Sequence, residues 1–151
     1  MWDYPRPPRL EPSPARLTVV LAGHTVADTT GGYRVLETSQ PPAYYLPPDD
    51  VDLTCLVRTT DHGSFCEWKG MATYWTVQVG ERVVPNGAWS YERPNLPFAA
   101  ITGYLAFYCQ LMDECTVDGE VVHPQPGGFY GGWITSNIVG PFKGAPGTLH
   151  W

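Results

Sequence analysis

No stretch of this sequence approaches the roughly 18 consecutive apolar residues that a membrane-crossing helix requires, so no transmembrane helix is expected. There is no run of lysine and arginine either. Nine basic residues stand against fifteen acidic ones, for a net charge of −6. A protein that grips a nucleic-acid backbone needs a basic footprint, so nucleic acid is not an expected partner. The opening MWDYPRPPRLEPSP lacks the apolar core of a secretion signal, which points to the cytoplasm. Cysteines are few, and no two have CxxC spacing. Cys55, His62 and Cys66 follow one another at intervals of seven and four, with Cys109 and Cys115 far downstream. Structural zinc sites favour ligands paired about two to four residues apart, so no metal site and no cofactor is expected. In a reducing compartment the four thiols are expected to be free and to serve as small buried hydrophobes.

What the chain does have is punctuation and aromatics. Glycine and proline number 16 each in 151 residues, and aromatics make up 13%. This favours one domain of short elements joined by tight turns. Residues 1–15, with five prolines between 5 and 14, read as an extended proline-rich segment, and residues 16–151 as a single β domain. The run RLTVVLA predicts a strand, Gly23-His24 a turn, and TVADTT a partner strand. Gly31-Gly32 turns the chain into a strand over 33–38. PPAYYLPP suits a short edge strand. Further strands are expected over 52–60 and 71–79, with a turn at Asp61-His62-Gly63 and a short extended piece at GAWSY. Residues 97–109 are helical or mixed, interrupted by Gly103. Val-Asp-Gly-Glu-Val near residue 118 is the strongest hairpin signal. The fold class is all-β, a compact domain of mostly antiparallel strands.

Three stretches invite chemistry. Asp49, Asp50 and Asp52 follow two prolines; Asp50 and Asp52 share a face if extended, but an Asp after Pro-Pro more often caps a turn or short helix. GPFKGAPGT near Lys143 has the wrong order for a phosphate loop and leaves at most a small anion nest. FCEWKG sets Cys66 three residues before Lys69. A neighbouring ammonium lowers a thiol pKa. On a regular strand, however, that spacing puts the two side chains on opposite faces, so the couple requires a turn or a bulge at Gly70.

The motifs WDYPRPPR, GHTVADT, RVLETSQPPAYYLP, FCEWKGMATYW, AWSYERP and GGFYGGWITSNIVGPFKGAPGT, in this order along nearly the whole chain, resemble the domain-of-unknown-function family 427, sometimes labelled nucleotidyltransferase-like. The resemblance implies a compact antiparallel domain similar to the β-tent of methionine sulfoxide reductase B and the cereblon ligand-binding domain, an architecture that binds small ligands in aromatic-lined grooves. The family pattern falls on Glu37, Tyr45, Cys66, Lys69, Gly70, Trp89, Tyr91, Asp118, Gly119, Trp133, Gly140, Lys143 and Gly144. It implies a small-molecule site with Tyr45, Trp89, Tyr91, Trp133 and Lys143 as binding residues. The alternatives are an enzyme using Cys66 and Lys69, with Glu37, in nucleophilic or acid–base chemistry, and a module that presents aromatic surface to a protein partner. The nucleotidyltransferase label would need a Gly-Ser turn feeding paired carboxylates, and Asp50 and Asp52 lack it.

Overall fold

Frequent Gly, Pro and Asp turns between β-branched and aromatic runs leave no room for a long helix, and the backbone follows this punctuation. The computed structural model describes residues 9–36, 42–66, 70–94, 96–124 and 132–135, with the backbone alone at 9, 60–66, 70, 71, 96 and 97. The strands are β1 (Arg9–Ser13), β2 (Leu17–Leu21), β3 (His24–Thr29), β4 (Gly32–Leu36), β5 (Ala43–Tyr45), β6 (Leu56–Cys66), β7 (Gly70–Val79), β8 (Arg82–Ser90), β9 (Leu105–Phe107), β10 (Glu114–Val117), β11 (Glu120–Val121), β12 (His123–Pro124) and β13 (Trp133–Ile134). Among the described residues only short 3-10 turns interrupt them, the longest being Leu96–Ile101. The strands form four antiparallel sheets: β1-β4-β5, β11-β10-β2-β3, β12-β13 and β6-β7-β8-β9. The fold is all-β and a single compact domain, and the described strands form no closed barrel.

Tight hairpins account for much of this. Asp118 and Gly119 take φ of 49° and 85° between β10 and β11, the paired left-handed conformation that suits strand twist. The β2–β3 turn uses Ala22 and Gly23 at 51° and 76°. Alanine is a poor residue for that region. The Ala22 amide donates to Asp113 Oδ2 at 2.7 Å, which ties the turn to the start of β10.

Two local expectations are corrected. Asp61-His62-Gly63 is not a chain reversal. These residues lie within β6, where the pairing jumps from Arg58↔Trp75 to Gly63↔Thr73 and then resumes on the same partner. Three extra residues bulge out, and the strand bends without turning back. The strand expected from residue 52 starts later, because Leu53–Cys55 is a 3-10 turn whose N-cap, Asp52, accepts from the Thr54 amide. The aspartates after Pro47-Pro48 are thus turn punctuation: Pro48–Asp50 is itself a 3-10 turn.

The sheet β6-β7-β8-β9 has a core on each face. Trp75, Val77, Ala88, Leu105 and Phe107 face Leu17, Val19, Leu21 and Trp133. Ala72, Tyr74, Trp89 and Ala106 face Val35, Tyr45, Phe98 and Ile101. Sheet β1-β4-β5 joins this arrangement through Leu46, which exchanges two 2.8 Å backbone hydrogen bonds with Leu105. Buried Gly32, which opens β4, admits this approach: a Cβ there would stand 2.6 Å from Leu17 Cδ1 and 3.1 Å from the Tyr45 carbonyl oxygen.

Gly32→Ala should therefore destabilise the domain by about 1–3 kcal/mol through overpacking, read by chemical denaturation; an unchanged midpoint would mean that Leu17 repacks freely. The acid limb of stability is also assigned. Asp28 is held below the usual carboxylate range by its hydrogen bonds from Arg16. Asp52 is lowered to about 2 by the Thr54 hydroxyl and then by His24. A depressed folded-state pKa gives stabilisation that is complete above the unfolded value of about 3.9 and is lost as pH falls through that value and on toward the folded one. Asp28→Asn/Asp52→Asn should lose less stability than the native chain as pH drops from about 6 to about 2. Parallel pH curves would show that these carboxylates do not set the limb.

Candidate functional site

Strand alternation decides which of the family-pattern aromatics meet. Tyr45 ends β5, while Trp89 lies in β8 and Tyr91 just beyond its end, two residues on, so that the two point to one face. These three come together. Trp89 Nε1 donates to the Tyr45 hydroxyl at 3.3 Å, and the Tyr45 ring sits edge-on to Trp89 with centroids 6.2 Å apart and 6.3 Å from Tyr91. Tyr108 extends the group, 4.6 Å from Trp89. All four are buried. Burial, then the neighbouring Tyr74, pushes the Tyr108 phenol well above its ordinary pKa. Trp133 does not join them. It packs on Tyr44 in the other core, 5.4 Å between centroids, and its Nε1 donates to the Phe107 carbonyl at 3.0 Å.

Glu37, Lys69 and Lys143 lie outside the described residues, so their part in a site is not placed here. Cys66 is the last residue of β6 and pairs with Gly70, the first of β7.

The most apolar concavity described is a groove of about 300 Å³ between the turn Leu53–Cys55, β7 and the chain before β9. Leu53, Leu56, Trp75, Leu105 and Gly103 line it, and Glu92 is its one ionisable side chain. A hydrogen-bonded relay fixes that carboxylate. Trp75 Nε1 donates to Ser90 Oγ at 2.9 Å, and Ser90 Oγ donates to Glu92 Oε1 at 2.8 Å. Ser90 has no solvent exposure, so a buried hydroxyl orients a carboxylate at an open mouth. A more polar concavity of about 280 Å³ opens by Ser13, Tyr44, Asp118 and Thr135. Its guanidinium, Arg34, is engaged by Glu11.

Sequence reasoning missed the Trp75 groove because its walls come from four separate segments and share no motif. It also missed a cluster of unlike donors. One donor atom each from His24, Asp52 and Cys55 all lie within 4.8 Å of one another. His24 opens β3 just after the Ala22-Gly23 turn. Asp52 and Cys55 flank the 3-10 turn, and the Asp52 amide donates to the Val26 carbonyl at 2.7 Å, which holds the two segments together. His24 Nε2 lies 2.7 Å from Asp52 Oδ2, while Asp52 Oδ1 accepts from the Thr54 amide and hydroxyl. The sequence signal was D-x-x-C, a spacing that joins one carboxylate and one thiol across a short turn. Burial, then the Asp52 charge, raises the Cys55 thiol pKa. Cys109 and Cys115 are free and buried as well. Burial pushes Cys109 up to about 11 and Cys115 higher still, so both are neutral thiols at physiological pH.

Comparison with known proteins agrees with the motif reading. No curated protein is significantly similar to the chain. The model of a family described as a domain of unknown function, DUF427, matches residues 9–118. The chain belongs to the DUF427 family.

Proposed function

We propose that this domain binds a small molecule with an apolar body and a hydrogen-bond-donating or cationic head, taken up in the groove of Trp75. The observation that carries this reading is the Trp75–Ser90–Glu92 relay. It orients one carboxylate at the mouth of an apolar cleft, the combination that small-ligand sites use to bind and orient. The aromatic group of Tyr45, Trp89 and Tyr91 supports the reading from behind. It backs the same sheet on its opposite face and makes the wall rigid, so ordering the ligand costs little extra ordering of the protein. The acidic balance of the chain fits a cationic head better than an anionic one.

A thermal-shift screen of metabolites against the full chain tests this reading. Hits should pair an apolar ring or chain with an amine or hydroxyl. Glu92→Gln should weaken the best hit by roughly 10–100-fold, the worth of a hydrogen bond to a charged group. Hits that bind equally well to Glu92→Gln and Trp75→Ala, or hits confined to anions, would overturn it.

A second reading is chemistry at Cys66 and Lys69, supported by their Cys-x-x-Lys spacing just before Gly70, where β7 begins opposite Cys66. Alkylation of Cys66 followed against pH, by mass spectrometry of the modified peptide, separates the cases. A rate midpoint well below about 8.5 supports a thiolate tuned by the amine and should rise in Lys69→Ala; a midpoint near that value makes Cys66 an ordinary thiol.

A further inference from the structure

His24, Asp52 and Cys55 bring an imidazole nitrogen, a carboxylate oxygen and a thiol sulfur to one spot, all within 4.8 Å of one another. We infer that these three residues form a binding site for a borderline divalent metal ion of the Zn²⁺ class, with a fourth position left open. The arrangement is built from two segments with different tasks. Asp52 and Cys55, three residues apart, span the 3-10 turn, where side chains at that interval stack on one side. His24 comes from the hairpin that the Asp52 amide anchors through the Val26 carbonyl, reinforced by the Ala27↔Val51 bridge.

The donor set selects the metal. Thiolate and imidazole suit Zn²⁺ and its neighbours, whereas Mg²⁺ and Ca²⁺ take oxygen ligands alone. The spacing requires little movement. Metal–ligand lengths of about 2.0–2.3 Å place tetrahedral ligand atoms roughly 3.3–3.7 Å apart. The contact of 2.7 Å between His24 Nε2 and Asp52 Oδ2 has only to open by about half an ångström as the metal replaces the shared proton. Cys55 Sγ already lies within 4.8 Å of both other donor atoms. The outer support is present too. Thr54 holds Asp52 Oδ1 through its amide and hydroxyl, so Oδ2 is the oxygen turned to the site, the kind of second contact that orients metal ligands. His24 is exposed and Asp52 half-exposed, which leaves a path for the ion and its water, while Cys55 is buried beneath them.

The cluster has an everyday role without any metal: Asp52 caps the turn and pairs with His24. The test must therefore read the thiol. Chelator-treated full-length protein is titrated with Co²⁺, and the near-ultraviolet thiolate-to-cobalt band is recorded. One equivalent should saturate the band, and Zn²⁺ should displace it. Cys55→Ser should abolish it, and Cys66→Ser should leave it intact. His24→Gln, a change at an exposed position that does not threaten folding, should weaken Co²⁺ binding by more than the roughly 10–100-fold that loss of an outer contact costs. No saturable band, a band that persists in Cys55→Ser, or one indifferent to both His24→Gln and Asp52→Asn would overturn the assignment.

Discussion

The sheet β6-β7-β8-β9 carries large apolar side chains on both faces, and a two-residue repeat sends them to two separate cores. On β9, Leu105 and Phe107 turn to one core and Ala106 to the other. On β8, Ala88 and Trp89 divide in the same way. A sheet buried on both sides needs a layer over each face, and the chain supplies these from short strands. β2 and β10 cover the aliphatic face, and β4 with β5 reaches the aromatic one. β5 cannot shift without cost, because Tyr44 belongs to the first core and Tyr45 to the second. A slip of one residue would exchange them.

Both candidate sites lie where this covering runs out. The Trp75 groove opens at an edge of the aliphatic core, where the 3-10 turn at Leu53 bridges from the covering strands to β6. The same turn presents Leu53 to the groove and Cys55 to the cluster with His24. A rigid sheet with irregular turns at its rim is the usual division of labour between scaffold and site. Ser90 shows how closely the two are joined. It is a fully buried polar residue on a central strand, tolerated because its hydroxyl both accepts from Trp75 and donates to Glu92.

Much of this was legible in the sequence wherever the signal was local. Val-Asp-Gly-Glu-Val turned where Asp-Gly turns, and the β2–β3 hairpin followed its glycine. The all-β class followed from turn density and β-branched runs. The meeting of Tyr45 with Trp89 and Tyr91 was legible only through family motifs, since 44 residues separate the Tyr45–Trp89 hydrogen bond in the chain. Asp61-His62-Gly63 misled because its residues favour turns, while the pairing on either side of it imposed a bulge instead. The groove and the His24 cluster were out of reach for a plainer reason. Each is assembled by register between segments that have no sequence pattern in common, and register is a tertiary quantity.

The nucleotidyltransferase-like label directs attention to Asp50 and Asp52. Such chemistry asks two carboxylates to converge on hard cations. Asp50 and Asp52 flank buried Val51, yet their carboxylates have different partners. Asp50 Oδ2 accepts from the Thr29 hydroxyl at 2.6 Å, while Asp52 is shared between Thr54 and His24. Asp50 therefore fastens its turn to β3, whereas Asp52 has, among the described residues, an imidazole and a thiol beside it. Replacing a second carboxylate with nitrogen and sulfur changes the preference from Mg²⁺ to a softer ion. Asp50 thus fastens a strand, while Asp52 belongs to a mixed-donor cluster.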